Sequence, residues 1–155
     1  MVNGELPSRG QVLPIGKGRI IKSYDKQREK KTGPSSRPIR VALVSIGTRL
    51  EHAVLAGREL ESKYPDVSVC VADARFMKPL DVDLITDLGL QSDVMITIEE
   101  GSRGGFGAAV MDCLTESGLL DNGSLRMRQM VIPDIWIGKC NSTNTTNTNT
   151  NSTIL

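Results

Sequence analysis

Residues 39–60 read IRVALVSIGTRLEHAVLAGREL, and they form the first strand–helix unit of the chain. Ile39 to Ile46 is an apolar, β-branched run of the kind that forms a strand buried on both faces. Gly47 interrupts this run, and Thr48-Arg49-Leu50-Glu51 has the spacing of a capping box at a helix start. Small and apolar residues then recur at helical spacing and predict one buried helix face: Leu50, Ala53, Val54, Gly57 and Leu60.

The alternation of strand and helix patterns continues to residue 133. Three further strands are predicted, from Val67 to Asp73, from Asp93 to Ile98 and from Gln129 to Pro133. The apolar run at residues 12–21 adds an edge strand, where Pro14 and glycine are tolerated. The order of elements is typical of an α/β fold with three layers. We therefore predict a five-stranded, mostly parallel sheet with one antiparallel edge strand and helices on both faces.

Two more helices are predicted between these strands. Asp81 or Asp83 caps a short helix that Gly89 closes. The second helix follows Gly105-Phe106-Gly107, and its inner face is predicted to consist of Ala108, Val110, Met111 and Leu114. The glycine turn before it has two interpretations. We favour close packing of the helix on the sheet over dinucleotide binding, because Val110 stands where the dinucleotide fingerprint needs a small residue.

Composition restricts the classes of function. The chain has 155 residues, a net charge of +1 and 3% aromatic residues, which fits one ordinary domain without a general attraction to nucleic acid or acidic membranes. Residues 22–40 carry seven Lys or Arg, but Tyr24 is their one aromatic residue, so a solvated loop or splayed hairpin is favoured over nucleic-acid binding. No apolar stretch approaches the roughly 20 residues that span a bilayer. We therefore expect neither nucleic acid nor a membrane as partner.

The chain lacks the residue sets of the common catalytic and metal sites. Its one histidine, His52, falls on the solvent-facing side of the first predicted helix, so no Ser/His/Asp or Cys/His set can be assembled. Cys70, Cys113 and Cys140 are too few and too scattered for a disulfide framework or a zinc site, and buried reduced thiols are the favoured interpretation. We predict no catalytic, cofactor-binding or metal-binding residue in this chain.

The domain organisation follows from these patterns. Residues 1–11 are expected to be the start of the domain or a linker, and residues 12–138 the domain itself, including the basic loop at 22–40. Residues 139–155 are expected to be a disordered tail, because residues 141–153 contain nothing but Asn, Ser and Thr.

Two segments at the carboxyl ends of successive strands are more specific than any of these patterns. They are residues 73–81, DARFMKPLD, and residues 99–107, EEGSRGGFG. Both resemble the C-terminal domain of the transketolase-like thiamine-diphosphate enzymes. Within that superfamily they resemble the 1-deoxy-D-xylulose-5-phosphate synthases, as do residues 13–19, 44–49 and 131–134. The candidate motif and interface residues are Asp73, Arg75, Phe76, Lys78, Pro79, Asp81, Glu99, Glu100, Gly101, Gly104, Gly105 and Gly107.

The resemblance, which covers about residues 13–137, implies a part of a larger enzyme. That family condenses pyruvate with glyceraldehyde 3-phosphate for isoprenoid and thiamine synthesis, using thiamine diphosphate and Mg²⁺. The preceding domains of the family hold the cofactor, so none is expected in this chain. The C-terminal domain packs against the middle domain and helps to form a homodimer. The compartment implied is a plastid in a eukaryote and the cytoplasm in a bacterium, and this chain shows no targeting segment.

Other interpretations stay open at this point. The chain resembles the family less after Asp134, where the family continues into one or two final helices, so a gene fragment or a free-standing binding or regulatory module is an alternative. A third is the same domain of transketolase or of a 2-oxoacid dehydrogenase β subunit. If the strands ending at Asp73 and Ile98 are close neighbours, Arg75 is expected to lie near Glu99 and Glu100.

Overall fold

The computed structural model describes residues 10, 12–25 and 37–133. Within these residues the strands are β1 (Arg19–Lys22), β2 (Ile39–Ser45), β3 (Val67–Asp73), β4 (Val94–Ile98) and β5 (Arg126–Met130). The helices are α1 (Leu50–Lys63), α2 (Val82–Gln91) and α3 (Phe106–Glu116), and a 3₁₀ turn at Gly47–Arg49 precedes α1.

The five strands form one mixed sheet in the order β1-β3-β2-β4-β5. β2, β3, β4 and β5 run parallel, whereas β1 pairs antiparallel with β3 at one edge. This confirms the predicted fold class. The expectation that β3 and β4 are close neighbours is wrong, because β2 lies between them. The chain moves from β2 to β3 in one direction along the sheet and then returns past β2 to reach β4.

This change of direction places helices on both faces of the sheet. Right-handed crossovers that move in opposite directions lie on opposite faces. On one face α1 covers a cluster built from Val41, Leu43, Ala53, Val69 and Val71. On the other face α2 and α3 cover the larger cluster, in which Phe106, Ile85, Leu88, Met95 and Leu114 are the largest fully buried side chains. The predicted inner face of α1 is confirmed, and His52 is exposed as expected.

Several local predictions differ from the structure. β5 spans Arg126–Met130, whereas the predicted strand spans Gln129 to Pro133. The prediction looked for a continuously buried apolar run, but β5 is an edge strand whose residues alternate in exposure. α2 continues through Gly89 to Gln91. A methyl group at Gly89 would approach Leu114 to 3.0 Å, so this glycine allows α2 to pack on α3. Met111 is 40% exposed and therefore does not belong to the inner face of α3.

The ends of the predicted basic loop belong to the sheet. Lys22 is the last residue of β1, so the loop or splayed hairpin predicted over 22–40 starts one residue too early, whereas Arg40 is the second residue of β2 and lies within the strand predicted from Ile39. Lys22 Nζ donates to Glu61 Oε1 at 2.7 Å and to the Val69 carbonyl at 2.8 Å, which ties β1 to α1. The middle of that loop, residues 26–36, and the predicted tail at 139–155 lie outside the described residues.

Asp93 links two strands at the amino edge of the sheet. Its carboxylate accepts two hydrogen bonds from the Arg37 guanidinium, at 2.8 and 2.6 Å, and one from the backbone N–H of Arg40 at 2.8 Å. Burial raises the pKa of Asp93, but the hydrogen bonds from Arg37 and Arg40 outweigh it and hold the pKa below its usual value. The carboxylate therefore joins the start of β2 to the start of β4.

We expect Asp93→Asn to lower the free energy of unfolding by about 1 kcal/mol at pH 7, since Asn keeps the shape but loses the charge. A lowered folded-state pKa contributes stability above the unfolded value of about 3.9, and this contribution is lost as the pH falls through the folded value. The difference between wild type and variant, measured by urea unfolding, should therefore shrink below about pH 4. Asp112→Asn, at an exposed position in α3, is the control, and a difference that stays constant from pH 7 to pH 3 would contradict the assignment.

Candidate functional site at the carboxyl edge of the sheet

Asp73 organises the loop that follows β3. Its carboxylate accepts a hydrogen bond from the backbone N–H of Arg75 at 3.2 Å and another from Arg19 Nε at 3.2 Å. Arg75 has a φ of 58°, in the left-handed region, and its Nε lies 3.7 Å from Asp73 Oδ2. A single carboxylate thus fixes both the turn after β3 and the start of the edge strand β1.

Asp81 organises the other end of the same loop. It is 8% exposed, and it caps α2 by accepting from the backbone N–H of Leu84 at 3.3 Å, as predicted. It also accepts from the N–H of Gly18 at 2.9 Å and from Lys17 Nζ at 3.2 Å. Burial raises the pKa of Asp81, but these hydrogen bonds outweigh it and lower the net pKa.

The segment before β1 and the loop after β3 therefore dock on each other. Lys17 also reaches Asp83 at 3.1 Å, and a methyl group at Gly16 would lie 2.7 Å from Pro79 Cγ. The Lys78–Pro79 peptide bond is cis. Phe76 is half-buried, whereas Lys78 and Pro79 are exposed. Residues 13–19 and 73–81, which carry much of the sequence resemblance, are thus two sides of one contact.

Glu99 caps the helix that follows β4. Its Oε2 accepts from the backbone N–H of Phe106 at 2.9 Å, and its Oε1 accepts from that of Gly107 at 2.8 Å. The negative charge lies at the positive end of the α3 dipole, where it is stabilising. These two N–H groups are the ones that a nucleotide diphosphate would need at this helix start. The N–H groups of Phe106 and Gly107 are therefore not free for a dinucleotide phosphate.

Three glycines make room for this arrangement. A methyl group at Gly101 would come within 2.8 Å of Glu99 Oε2, and one at Gly105 would overlap the same oxygen. A methyl group at Gly107 would lie 2.8 Å from Thr97 Oγ1 and 2.9 Å from Gln129. Gly107 thus lets α3 approach the sheet closely, which confirms the favoured interpretation of the glycine turn. Gly104 has a φ of 92° and meets no neighbour.

Glu100 pairs with the loop that follows β2. Thr48 Oγ1 donates to Glu100 Oε1 at 2.5 Å, and Arg49 Nε lies 3.1 Å from the same oxygen. The predicted capping box is wrong, since neither the 3₁₀ turn nor α1 has a side-chain cap. A carboxylate from the neighbouring loop takes the hydroxyl instead. Sequence reasoning missed this cluster, although parallel neighbouring strands whose ends align would have indicated it.

Contrary to the prediction, Arg75 does not lie near Glu99 and Glu100. Among the ion pairs of the described residues, its guanidinium pairs with Asp73, and none joins it to Glu99 or Glu100. The physical reason is the strand order, because β2 and its loop separate the two motifs. The carboxyl edge therefore holds two polar clusters, one around Asp73 and Asp81 and the other around Glu99 and Glu100.

Reactive and metal-binding groups are few in the part of the chain that the structure describes. Burial raises the pKa of the Cys70 thiol to about 11 and also raises that of Cys113, and both side chains are buried as expected. Cys140 lies outside the described residues. Residues 10, 12–25 and 37–133 contain no group of three or more His, Cys, Asp or Glu placed to hold a metal. None of the described helices is long and apolar enough to cross a membrane.

Two comparisons with known proteins bear on this geometry. Residues 18–147 match the family model described as the transketolase C-terminal domain. A solved structure described as "Split gene transketolase, inactive beta4 tetramer" is similar with a TM-score of 0.63 and 22% sequence identity. The match covers 83% of this chain and 36% of that chain, so the present chain corresponds to about a third of that protein's length. At this identity the similarity shows a shared fold.

The Glu99 cap yields a coupled pair of mutations. We expect Glu99→Ala to lower the free energy of unfolding by about 1–2 kcal/mol, the usual range for a lost helix cap. Gly105→Ala should also be destabilising, because its methyl group displaces the Glu99 carboxylate from the helix start. In the Glu99→Ala background the cost of Gly105→Ala should fall by at least half, since the clash is gone.

Denaturant unfolding of the two single variants and the double variant measures this coupling. Ser102→Ala, an exposed change in the same loop, is the matched control and should have little effect. Strict additivity of Glu99→Ala and Gly105→Ala would show that the glycine serves something other than the cap.

Proposed function

Because the chain belongs to the transketolase C-terminal domain family of the thiamine-diphosphate enzymes, we propose that it is that domain of a 1-deoxy-D-xylulose-5-phosphate synthase. In this proposal the complete enzyme joins pyruvate to glyceraldehyde 3-phosphate, in a plastid or in a bacterial cytoplasm. The domain supplies structure and subunit association, and no catalytic residue. Its partners are the cofactor-binding domains of the same enzyme, within a homodimer.

One observation carries the structural role. The carboxylates of both motifs at the carboxyl edge are committed to contacts inside the domain, Asp81 to Gly18, Lys17 and α2, and Glu99 to α3. A general acid, a base or a nucleophile needs access to substrate. These side chains instead fix two loops in a defined shape, and loops held by such contacts suit docking against another domain.

The described residues do not fit thiamine diphosphate and Mg²⁺. A diphosphate would need free backbone N–H groups at a glycine-rich helix start, and Glu99 accepts from those of Phe106 and Gly107. Mg²⁺ beside a diphosphate is held by one or two carboxylates together with the phosphate oxygens, and the carboxylates of Asp81 and Glu99 instead accept hydrogen bonds within the domain. We therefore assign cofactor binding to other domains of the complete enzyme.

Transketolase itself is the second candidate. The fold similarity to a split gene transketolase, of which the matched part is a fraction, supports it. The resemblance of residues 73–81 and 99–107 to the synthases favours the first candidate. A 2-oxoacid dehydrogenase β subunit and a free-standing module or fragment are the remaining alternatives. A domain exchange separates the synthase from transketolase and from a free-standing module.

In the exchange, this chain replaces the C-terminal domain of a 1-deoxy-D-xylulose-5-phosphate synthase and, separately, that of a transketolase. We expect the synthase chimera to be dimeric and to retain at least about a tenth of the parent kcat, since a lost docking surface costs orders of magnitude. The transketolase chimera should be much less active. The reverse ranking would favour transketolase, and two inactive but folded chimeras would favour a free-standing module.

The isolated chain provides an independent test. We expect no specific heat of binding when it is titrated with thiamine diphosphate in the presence of Mg²⁺, and no turnover of pyruvate. The intact parent synthase is the positive control in the same calorimeter. A saturable, Mg²⁺-dependent complex with the isolated chain would contradict the assignment of cofactor binding to other domains.

A further inference from the structure

A cavity of about 370 Å³ lies beside α3 and β5, which is the edge strand among the described residues. Its lining is Arg103, Met111, Met127, Arg128, Gln129 and Val131. Its volume is within the usual range for small-molecule sites. None of these side chains belongs to the two polar clusters described above, so the cavity is a separate feature of the domain.

The two arginines of the cavity, Arg103 and Arg128, meet no carboxylate among the described residues. None of the six lining residues is acidic, and among the described residues neither Arg103 nor Arg128 forms an ion pair. Most other guanidinium groups of the described part are engaged: Arg19 with Asp73, Arg37 with Asp93 and Arg49 with Glu100. Within the part of the chain that the structure describes, the cavity thus concentrates two positive charges without an acidic partner.

The geometry of β5 places two kinds of hydrogen-bond donor beside this cavity, the guanidinium of Arg128 and the backbone N–H of Gln129. Arg128 belongs to the exposed row of β5, but its Nη1 donates to the backbone carbonyl of Met127 at 2.7 Å, so the guanidinium bends around the sheet edge. The remaining N–H groups of that guanidinium make no hydrogen bond to another described residue, so they can serve a ligand. Because the carbonyl of Met130 and the N–H of Arg126 point towards β4, the alternation directs the N–H of Gln129 to the opposite side of β5, where no other described strand lies.

The rest of the lining is apolar. Met111 on α3, Met127 on β5 and Val131 after β5 form a wall beside the two arginines and the Gln129 amide. A ligand that fits this lining has an anionic head and a short carbon skeleton. Two guanidinium forks match the geometry and the near −2 charge of a phosphate monoester better than the single charge of a carboxylate.

We propose that this cavity binds a small phosphate monoester, with Arg103 and Arg128 holding the phosphate and the methionine wall holding the carbon skeleton. The site goes beyond the structural role proposed above and does not depend on which enzyme the domain belongs to. It would give a domain without catalytic residues a ligand of its own.

The test is an NMR titration of the full chain with glycerol 3-phosphate at low salt, following backbone amides. Three comparison ligands are used. Glycerol lacks the phosphate, lactate carries a carboxylate in its place, and inorganic phosphate lacks the carbon skeleton. We expect saturable shifts at residues 103–111 and 127–131 with glycerol 3-phosphate, no shifts with glycerol, and binding at least about tenfold weaker with lactate.

Arg103→Gln and Arg128→Gln should each raise the Kd for glycerol 3-phosphate at least about tenfold. Arg126→Gln removes the same charge from β5 outside the cavity lining, and its effect should stay below about twofold. Equal losses in all three variants would reduce the effect to general charge attraction and overturn the site. Equal affinity for lactate or for inorganic phosphate would overturn the ligand class. Absence of any saturable shift would overturn the proposal and leave the two arginines to an acidic protein segment.

Discussion

The central position of β2 is the constraint on which the other elements depend. β2 is hydrogen-bonded to β3 on one side and to β4 on the other, and its residues from Val41 to Ser45 are buried. Because a parallel strand in this position has no solvated face, its sequence must be continuously apolar and β-branched. The chain adds β3 on one side of β2 and then β4 and β5 on the other side. This change of side places α1 on one face of the sheet and α2 and α3 on the opposite face. The two cores of the domain therefore follow from one strand.

The same change of side explains why the carboxyl edge holds two clusters. Loops after β2 and β4 lie next to each other, so Thr48 and Arg49 meet Glu100. The loop after β3 lies on the other side and meets the segment before β1 through Asp73 and Asp81. In both clusters a carboxylate accepts hydrogen bonds from backbone N–H groups or pairs with a cationic side chain. The shape of this edge is thus set by electrostatics within the domain.

The sequence predicts the buried strands and the inner face of α1 well, because each leaves a local pattern. The strands are continuous apolar runs, and the helix face is a set of small and apolar residues at helical spacing. It predicts the weakly covered parts poorly. β5 is half exposed, and of the predicted apolar run from Met130 to Ile132 only Met130 lies in the strand. Thr48 has the local spacing of a cap, but a tertiary partner, Glu100, takes its hydroxyl. Arg75 does not meet Glu99, because β3 and β4, which follow each other in the sequence, are not neighbours in the sheet. Strand order is a property of the whole sheet, and no local pattern contains it.

The antiparallel direction of β1 has a consequence for how this domain is connected to anything else. Arg19 is paired with Asp73 at the carboxyl edge, so the described chain enters the sheet there, and Met130 and Pro133 leave β5 at the same edge. A polypeptide joined before β1 and another joined after β5 would both begin on one side of the domain. Each tether would raise the effective concentration of its attached neighbour at that side, as a short linker does for two binding modules. The opposite edge, fastened by Asp93, would face away from both connections.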